Sequence, residues 1–151
     1  MTPTEFFNDA IEAGAVPAGC KLSSAYSLGA PAQSDTLARL VATGEKTATS
    51  SRFSGYLQDH DPLPAEGAYD VVVDSHGTPV ALTLTTRVEI VPFMAVSAEH
   101  AAREGEQPKT LAAWRTVHEA FFAAEAAEAG GHFDPASDNV VLETFKVVYP
   151  L

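Results

Sequence analysis

Between Gly44 and Arg52 the chain reads Gly-Glu-Lys-Thr-Ala-Thr-Ser-Ser-Arg, which concentrates an amine, several hydroxyls and a guanidinium within nine residues. A lysine amine relieved of its proton can take one from a hydroxyl or a water, and a hydroxyl needs such help to act as a nucleophile. Lys46 and Thr49 are therefore the candidate base and nucleophile. A carboxylate that carries a proton would complete the set, and Glu104, between an expected short helix and Gly105-Glu106, is the candidate. Thr47, Ser50, Arg52 and Tyr56 supply further polar groups in or just after the run and are the candidate substrate contacts.

The elements that must position these groups follow from the apolar pattern. Leu37, Leu40 and Val41 recur at helical spacing, with Ser34 or Asp35 as the expected N-cap and Gly44 as the stop, so Lys46 to Arg52 leaves a helix as an ordered turn or strand. An earlier helix is expected over Thr4 to Ala15, with Phe6, Phe7, Ala10 and Ile11 on one face. The two prolines and the glycine of 61–67 exclude regular structure there. Tyr69 to Asp74 and Val80 to Val91 read as a short and a long strand joined by the Ser75-His76-Gly77-Thr78 turn. Helices are expected over Ser97 to Arg103 and Thr110 to Ala129, and a last strand over Asn139 to Tyr149.

Several chemistries are absent or weak. Glu45 separates Gly44 from Lys46 and a helix precedes them, which is unlike a phosphate-binding P-loop. Neither a G-x-S-x-G elbow nor an H-E-x-x-H pair is present. His100 and Glu104 stand four apart and can face one metal ion, but two ligands are not a site; an exposed polar helix face is expected and no metal ligand set is assigned. His60, His76, His118 and His132 are scattered and expected in solvent, while Trp114, Phe121 and Phe122 form an apolar stripe expected in the core.

The chain of 151 residues suits one core, and its single cysteine, Cys20, excludes an internal disulfide and every paired-thiolate site. Cys20 itself is expected to be a small buried apolar residue. No stretch is long or apolar enough to span a bilayer and the N-terminus lacks a secretory pattern, so a cytoplasmic location without a membrane partner is expected. Nine basic against twenty acidic residues give 9 − 20 = −11, which opposes general binding to phosphate backbones. Arg39, Lys46 and Arg52 against Glu45 alone leave room for a local positive pocket that admits a nucleoside, a nucleotide or a locally held RNA.

The ordered set of motifs resembles the ASCH domain family, a group of PUA-like proteins linked to RNA. The match runs from about Tyr26 to Tyr149. It comprises Gly44-x-Lys46-x-x-Thr49, Leu63-Pro64-x-x-Gly67, Ala101-x-x-Glu104-Gly105-Glu106, Leu111-x-x-Trp114-Arg115-x-x-His118-x-x-Phe121-Phe122, and the ending from Val140 to Tyr149. The resemblance implies an α+β fold, a small curved and mostly antiparallel β-barrel with surrounding helices, preceded by an N-terminal helical extension over 1–20 and occupying 21–151. In the compact branch that removes the acetyl group of N4-acetylcytidine, a lysine, a threonine three residues later and a glutamate form the functional set, which maps onto Lys46, Thr49 and Glu104.

Two departures stand out: Arg52 lies three residues after Thr49 where that branch has its arginine two after, and Leu28-Gly29 replaces a Phe-Gly pair. The expectation is a hydrolase of a small nucleobase derivative, with Arg52 and Tyr56 holding base or ribose and no cofactor. The alternatives are an RNA-binding module or a ribonuclease assisted by a divalent metal. The sequence allows a homodimer.

Overall fold

The computed structural model describes residues 1–150; Leu151, the last residue of the expected 21–151 domain, lies outside the described residues. The chain forms two compact units. One holds Met1–Thr47, Ala65–Thr86 and the stretch from Phe145; the other holds Ala48–Pro64 and Arg87–Thr144.

In the first unit, helix α1 (Pro3–Glu12) starts where Thr2 and Glu5 exchange side chain to backbone hydrogen bonds, a capping box with Pro3 as the first helical residue. Its apolar face sets Phe7 and Ala10 against Val16, Val71 and Leu82. Strand β1 (Leu22–Tyr26) pairs in parallel with β3 (Tyr69–Val73), which pairs antiparallel with the long β4 (Pro79–Pro92). Asp74 shapes the connecting turn by accepting the His76 and Thr78 backbone N–H groups, and Gly77 takes the positive φ of 79° that the turn needs. Helix α2 (Ser34–Ala42) packs Leu37, Ala38 and Val41 on Val72, Ala81 and Phe145.

The expected N-cap of α2 is corrected. Gln33 holds that position, because the Ser34 hydroxyl turns back to the Leu28 and Ala30 carbonyls and Asp35 accepts the Ser75 N–H. Cys20 is half-buried and lies at the edge of the Phe7 cluster, rather than inside it.

The second unit contains β2 (Ala48–Arg52), α3 (Phe53–Asp59), a 3-10 turn (Phe93–Ala95), α4 (Ala98–Arg103), α5 (Leu111–Glu128) and the first half of β5 (Asn139–Tyr149). Its core joins Phe93, Trp114, Phe122 and Phe133 with Val140 and Leu142 of β5. Strands β4 and β5 run through both units, and the strand order is β1-β3-β4-β5-β2. The fold is α+β and mostly antiparallel, as the sequence predicts. The sheet is open where a closed barrel was expected, with β1 and β2 as its two edges. Among the described residues, no helix is long and apolar enough to cross a membrane.

Asp70, buried on β3, accepts a 2.6 Å hydrogen bond from the Ser24 hydroxyl, and burial holds its carboxyl above the usual carboxylate range. The unfolded chain ionises first as pH rises, so the native state binds the extra proton and stability falls between the ordinary and the raised value. Asp70→Asn keeps an acceptor for Ser24 and removes that penalty. Its melting temperature is expected to exceed that of the wild type by a margin that grows from pH 4 to pH 7. A margin that is constant, or larger in acid, would refute this account.

Candidate functional site

Strand β2 carries most of the hydroxyls of the motif, and its register decides which way each one faces. Thr49 pairs with Glu143, Ser50 with Leu142, Ser51 with Val141 and Arg52 with Val140 across the antiparallel ladder to β5. Directly opposed residues share a face and neighbours alternate, so Ser50 lies on the face of Leu142 and Thr144, whereas Thr49 and Ser51 lie on the face of Glu143. The Ser50 Oγ is buried with no hydrogen-bond partner. Thr47, just ahead of the strand, accepts the Phe145 N–H through its carbonyl.

Lys46 follows the Gly44 turn after α2, and its backbone N–H donates to the Leu40 carbonyl. It is only 2% exposed, the largest side chain among those so deeply buried. It is not without a partner, in keeping with the cost of leaving a buried polar group unpaired.

Glu104 caps the C-terminal end of α4, beside β2 in the same unit, and is 1% exposed. Three aromatic rings surround its carboxylate. The Trp114 indole N–H donates to Oε2 at 2.6 Å, the His100 Nε2 meets the same oxygen at 2.8 Å, and the His118 Nε2 lies 3.3 Å from Oε1. His118 is fixed in turn. Its Nδ1 lies 2.9 Å from the Trp114 carbonyl, which can only accept, so Nδ1 carries a proton; the imidazole also stacks on the indole at 4.3 Å with 15° between the planes. Glu104 is thus a buried carboxyl ringed by one indole and two imidazoles.

This cluster corrects two sequence expectations. His100 and Glu104 are buried, not on an exposed face, and His118 is buried, not solvated; Trp114 is a core residue, as expected, and also binds Glu104. The W-R-x-x-H spacing was the available signal, since it places Trp114 and His118 four apart on one face of α5. Glu104, Glu106 and His118 bring one ligand-type atom each within 4.8 Å of one another. Because Trp114 and both imidazoles already engage the Glu104 carboxylate, we read the group as a hydrogen-bonded cluster and assign it no ion.

Arg52 and Tyr56 come together elsewhere in the unit, at the wall of an open cavity of about 410 Å3 that Ser51, Asp59 and Glu125 also line. The Arg52 Nε binds Glu125 at 2.8 Å, and its other arm donates to the Ser54 hydroxyl. The Tyr56 hydroxyl lies 2.8 Å from that of Ser51, and burial pushes the phenol above its ordinary value. Glu104 is not among the residues lining this cavity. A smaller cavity of about 190 Å3 lies next to α4, with His100 in its wall.

The family model described as ASCH domain matches residues 24–149. A crystal structure of an ASCH domain from Lactobacillus crispatus JV V101 is 31% identical, with a TM-score of 0.89, over 98% of this chain and 94% of that one. A crystal structure of a protein from Enterococcus faecalis V583 is 30% identical, with a TM-score of 0.86, over 96% of this chain and 86% of that one. An ASCH mutant protein from Zymomonas mobilis shares the fold at 12% identity and a TM-score of 0.52, over 81% of this chain and 67% of that one. No curated protein matches the chain.

Proposed function

Since the chain belongs to the ASCH domain family, we propose that it is a hydrolase of a small nucleobase derivative, with an N4-acylated cytidine as the best candidate substrate. The observation that carries this reading is the buried Glu104 carboxyl held by Trp114, His100 and His118, because amide hydrolysis needs a group that delivers a proton to the departing amine. Lys46 supplies the base, and Thr49 is the nucleophile or the hydroxyl that orients water. Glu104 then protonates the leaving nitrogen as the carbon–nitrogen bond breaks, and water supplies the new hydroxyl on the acyl carbon, either by attacking it directly or by hydrolysing an ester left on Thr49, so that the products are the free amine and a carboxylic acid.

Only protons and an acyl group move, so the reaction calls for no cofactor. Arg52 and Tyr56 would receive the flanking part of a larger substrate in the wider cavity they line. The net charge of −11 favours a neutral nucleoside over a polyanion.

The test is a time course of the protein with N4-acetylcytidine, read by chromatography. Release of cytidine and acetate in equal amounts is expected. No release, together with RNA binding that weakens steeply with added salt, would replace the hydrolase reading by an RNA-binding module. RNA cleavage that stops on chelation would replace it by a metal-assisted ribonuclease.

A further inference from the structure

We propose that His100 is the proton shuttle that recharges Glu104 between turnovers, drawing on water in the cavity beside α4; this rests on the hydrolase reading and adds to its site a positioning residue, one that acts through Glu104. Each amide cleaved takes a proton from Glu104, so the carboxylate left behind must gain another before the next substrate reacts. At 1% exposure it is cut off from bulk water. Lys46, Thr49 and Glu104 line no part of the cavity beside α4, and its residues Leu142 and Thr144 lie on the sheet face opposite to that of Thr49. The bond therefore breaks outside this cavity, and His100, in its wall and bonded to Glu104, connects it to that chemistry.

Of the three rings that hold the Glu104 carboxylate, His100 alone is placed to carry a proton in. The Trp114 indole N–H only donates. His118 is pinned, with Nδ1 2.9 Å from the Trp114 carbonyl and its ring stacked on the indole at 4.3 Å. The His100 ring meets the same indole edge-on at 6.2 Å and is tied through Nε2 to Glu104 at 2.8 Å. Neither Trp114 nor His118 lines the cavity, whereas His100 does. Imidazole is also the side chain that exchanges its proton with water near neutral pH.

The cavity supplies room and water. Its volume of about 190 Å3 holds several waters at roughly 30 Å3 each, with the Ser97 and Thr144 hydroxyls in its wall to bind them. Swung out from Glu104, the neutral imidazole takes a proton from hydronium or a buffer acid and leaves water or the buffer base. Swung back as imidazolium, it passes the Nε2 proton to Glu104 Oε2 and is neutral again. Glu104 later gives that proton to the departing amine nitrogen. Besides Glu104 and His118, the charged groups around this path are balanced: Arg87 is paired with Glu89 on β4 and Arg103 with Glu99 on α4, and all four line the cavity. An imidazolium that enters meets no excess of either sign, so it is neither trapped nor expelled.

His100→Gln keeps a hydrogen-bonding amide for Glu104 but carries no exchangeable charge. With N4-acetylcytidine its kcat is expected to fall by about tenfold or more at nearly unchanged KM, and to rise again with added imidazole, to which the wild type should be indifferent. Ala95→Phe, at an exposed position lining the cavity, fills the room for the swing and should show a loss of the same size. Trp114 is the only tryptophan and its N–H donates to Glu104, so its emission reports proton uptake there without any substrate. After a small pH jump that emission is expected to relax about tenfold more slowly, or slower still, in both variants, with circular dichroism and melting temperature unchanged; imidazole should restore the rate in His100→Gln.

Relaxation at the wild-type rate in either folded variant would overturn the shuttle, whether or not the protein hydrolyses acetylcytidine. So would a loss of kcat in His100→Gln that imidazole does not repair, since a histidine that only supports the fold gives that result. The two ideas also fail separately. No hydrolysis by the wild type, with slow relaxation in both variants, keeps His100 as the proton path to Glu104 and removes the hydrolase. Hydrolysis by the wild type, with kcat and relaxation unchanged in both variants, keeps the hydrolase and removes the shuttle.

Discussion

Glu104→Gln is expected to abolish most turnover of N4-acetylcytidine while leaving the protein nearly as stable as the wild type, and Glu104→Ala is expected to lose both activity and stability. The difference comes from the cluster around the carboxylate. A glutamine keeps a carbonyl oxygen that accepts the Trp114 N–H and the His100 bond, and its amide can donate to the His118 Nε2. What it cannot do is carry a proton, so kcat should fall by about 10²- to 10⁴-fold, the usual worth of a positioned general acid.

Alanine instead leaves an indole N–H and two imidazoles facing a void in a site that is 1% exposed at Glu104. Removing one member of a buried hydrogen-bonded charge cluster costs about 3–5 kcal/mol. For a chain of this size that corresponds to a fall in melting temperature on the order of 10 °C. The paired measurement is chemical or thermal denaturation beside the acetylcytidine assay. A glutamine variant with wild-type activity would remove Glu104 from proton transfer, and an alanine variant with wild-type stability would show that the cluster does not support the second unit.

Lys46→Ala is expected to reduce turnover by about 10²- to 10⁴-fold and to recover part of it when a small primary amine such as ethylamine is added. The side chain is 2% exposed, so its deletion leaves a buried space, and buried spaces left by truncation collapse only in part. An amine that enters restores the missing base, whereas ethanol of similar size does not. Turnover by Lys46→Ala at the wild-type rate would refute the role of Lys46 as base. Equal recovery with ethanol and ethylamine would mean that Lys46 acts by filling space.

Much of the fold was legible because its signals are local. The 3.6-residue periodicity around Leu37 and Val41, the Phe7 face of α1 and the long stripe of α5 each specify a helix. The turn at 75–78 between two β-branched runs specifies the β3–β4 hairpin. Strand β1 escaped notice because Leu22-Ser23-Ser24-Ala25-Tyr26 is largely polar and exposed; only its parallel partner β3, more than forty residues later, makes it a strand. Helix α3 buries no residue fully, so it carries no apolar stripe to find.

The same division holds for the site. By itself the sequence determined that the chain carries a lysine, a run of hydroxyls and a later glutamate in the order of one family, since identity and order are properties of the chain alone. Tertiary structure decided that Lys46 and Glu104 are buried, that Trp114, His100 and His118 hold Glu104, and that Ser50 rather than Thr49 shares a face with Leu142. Burial depends on what packs against a residue from distant parts of the chain. Which hydroxyl of a polar run points to which side depends on strand register, where a shift of one residue reverses every side chain. Neither quantity is written in the local pattern of Lys46 to Arg52, whose residues are polar at every position but Ala48.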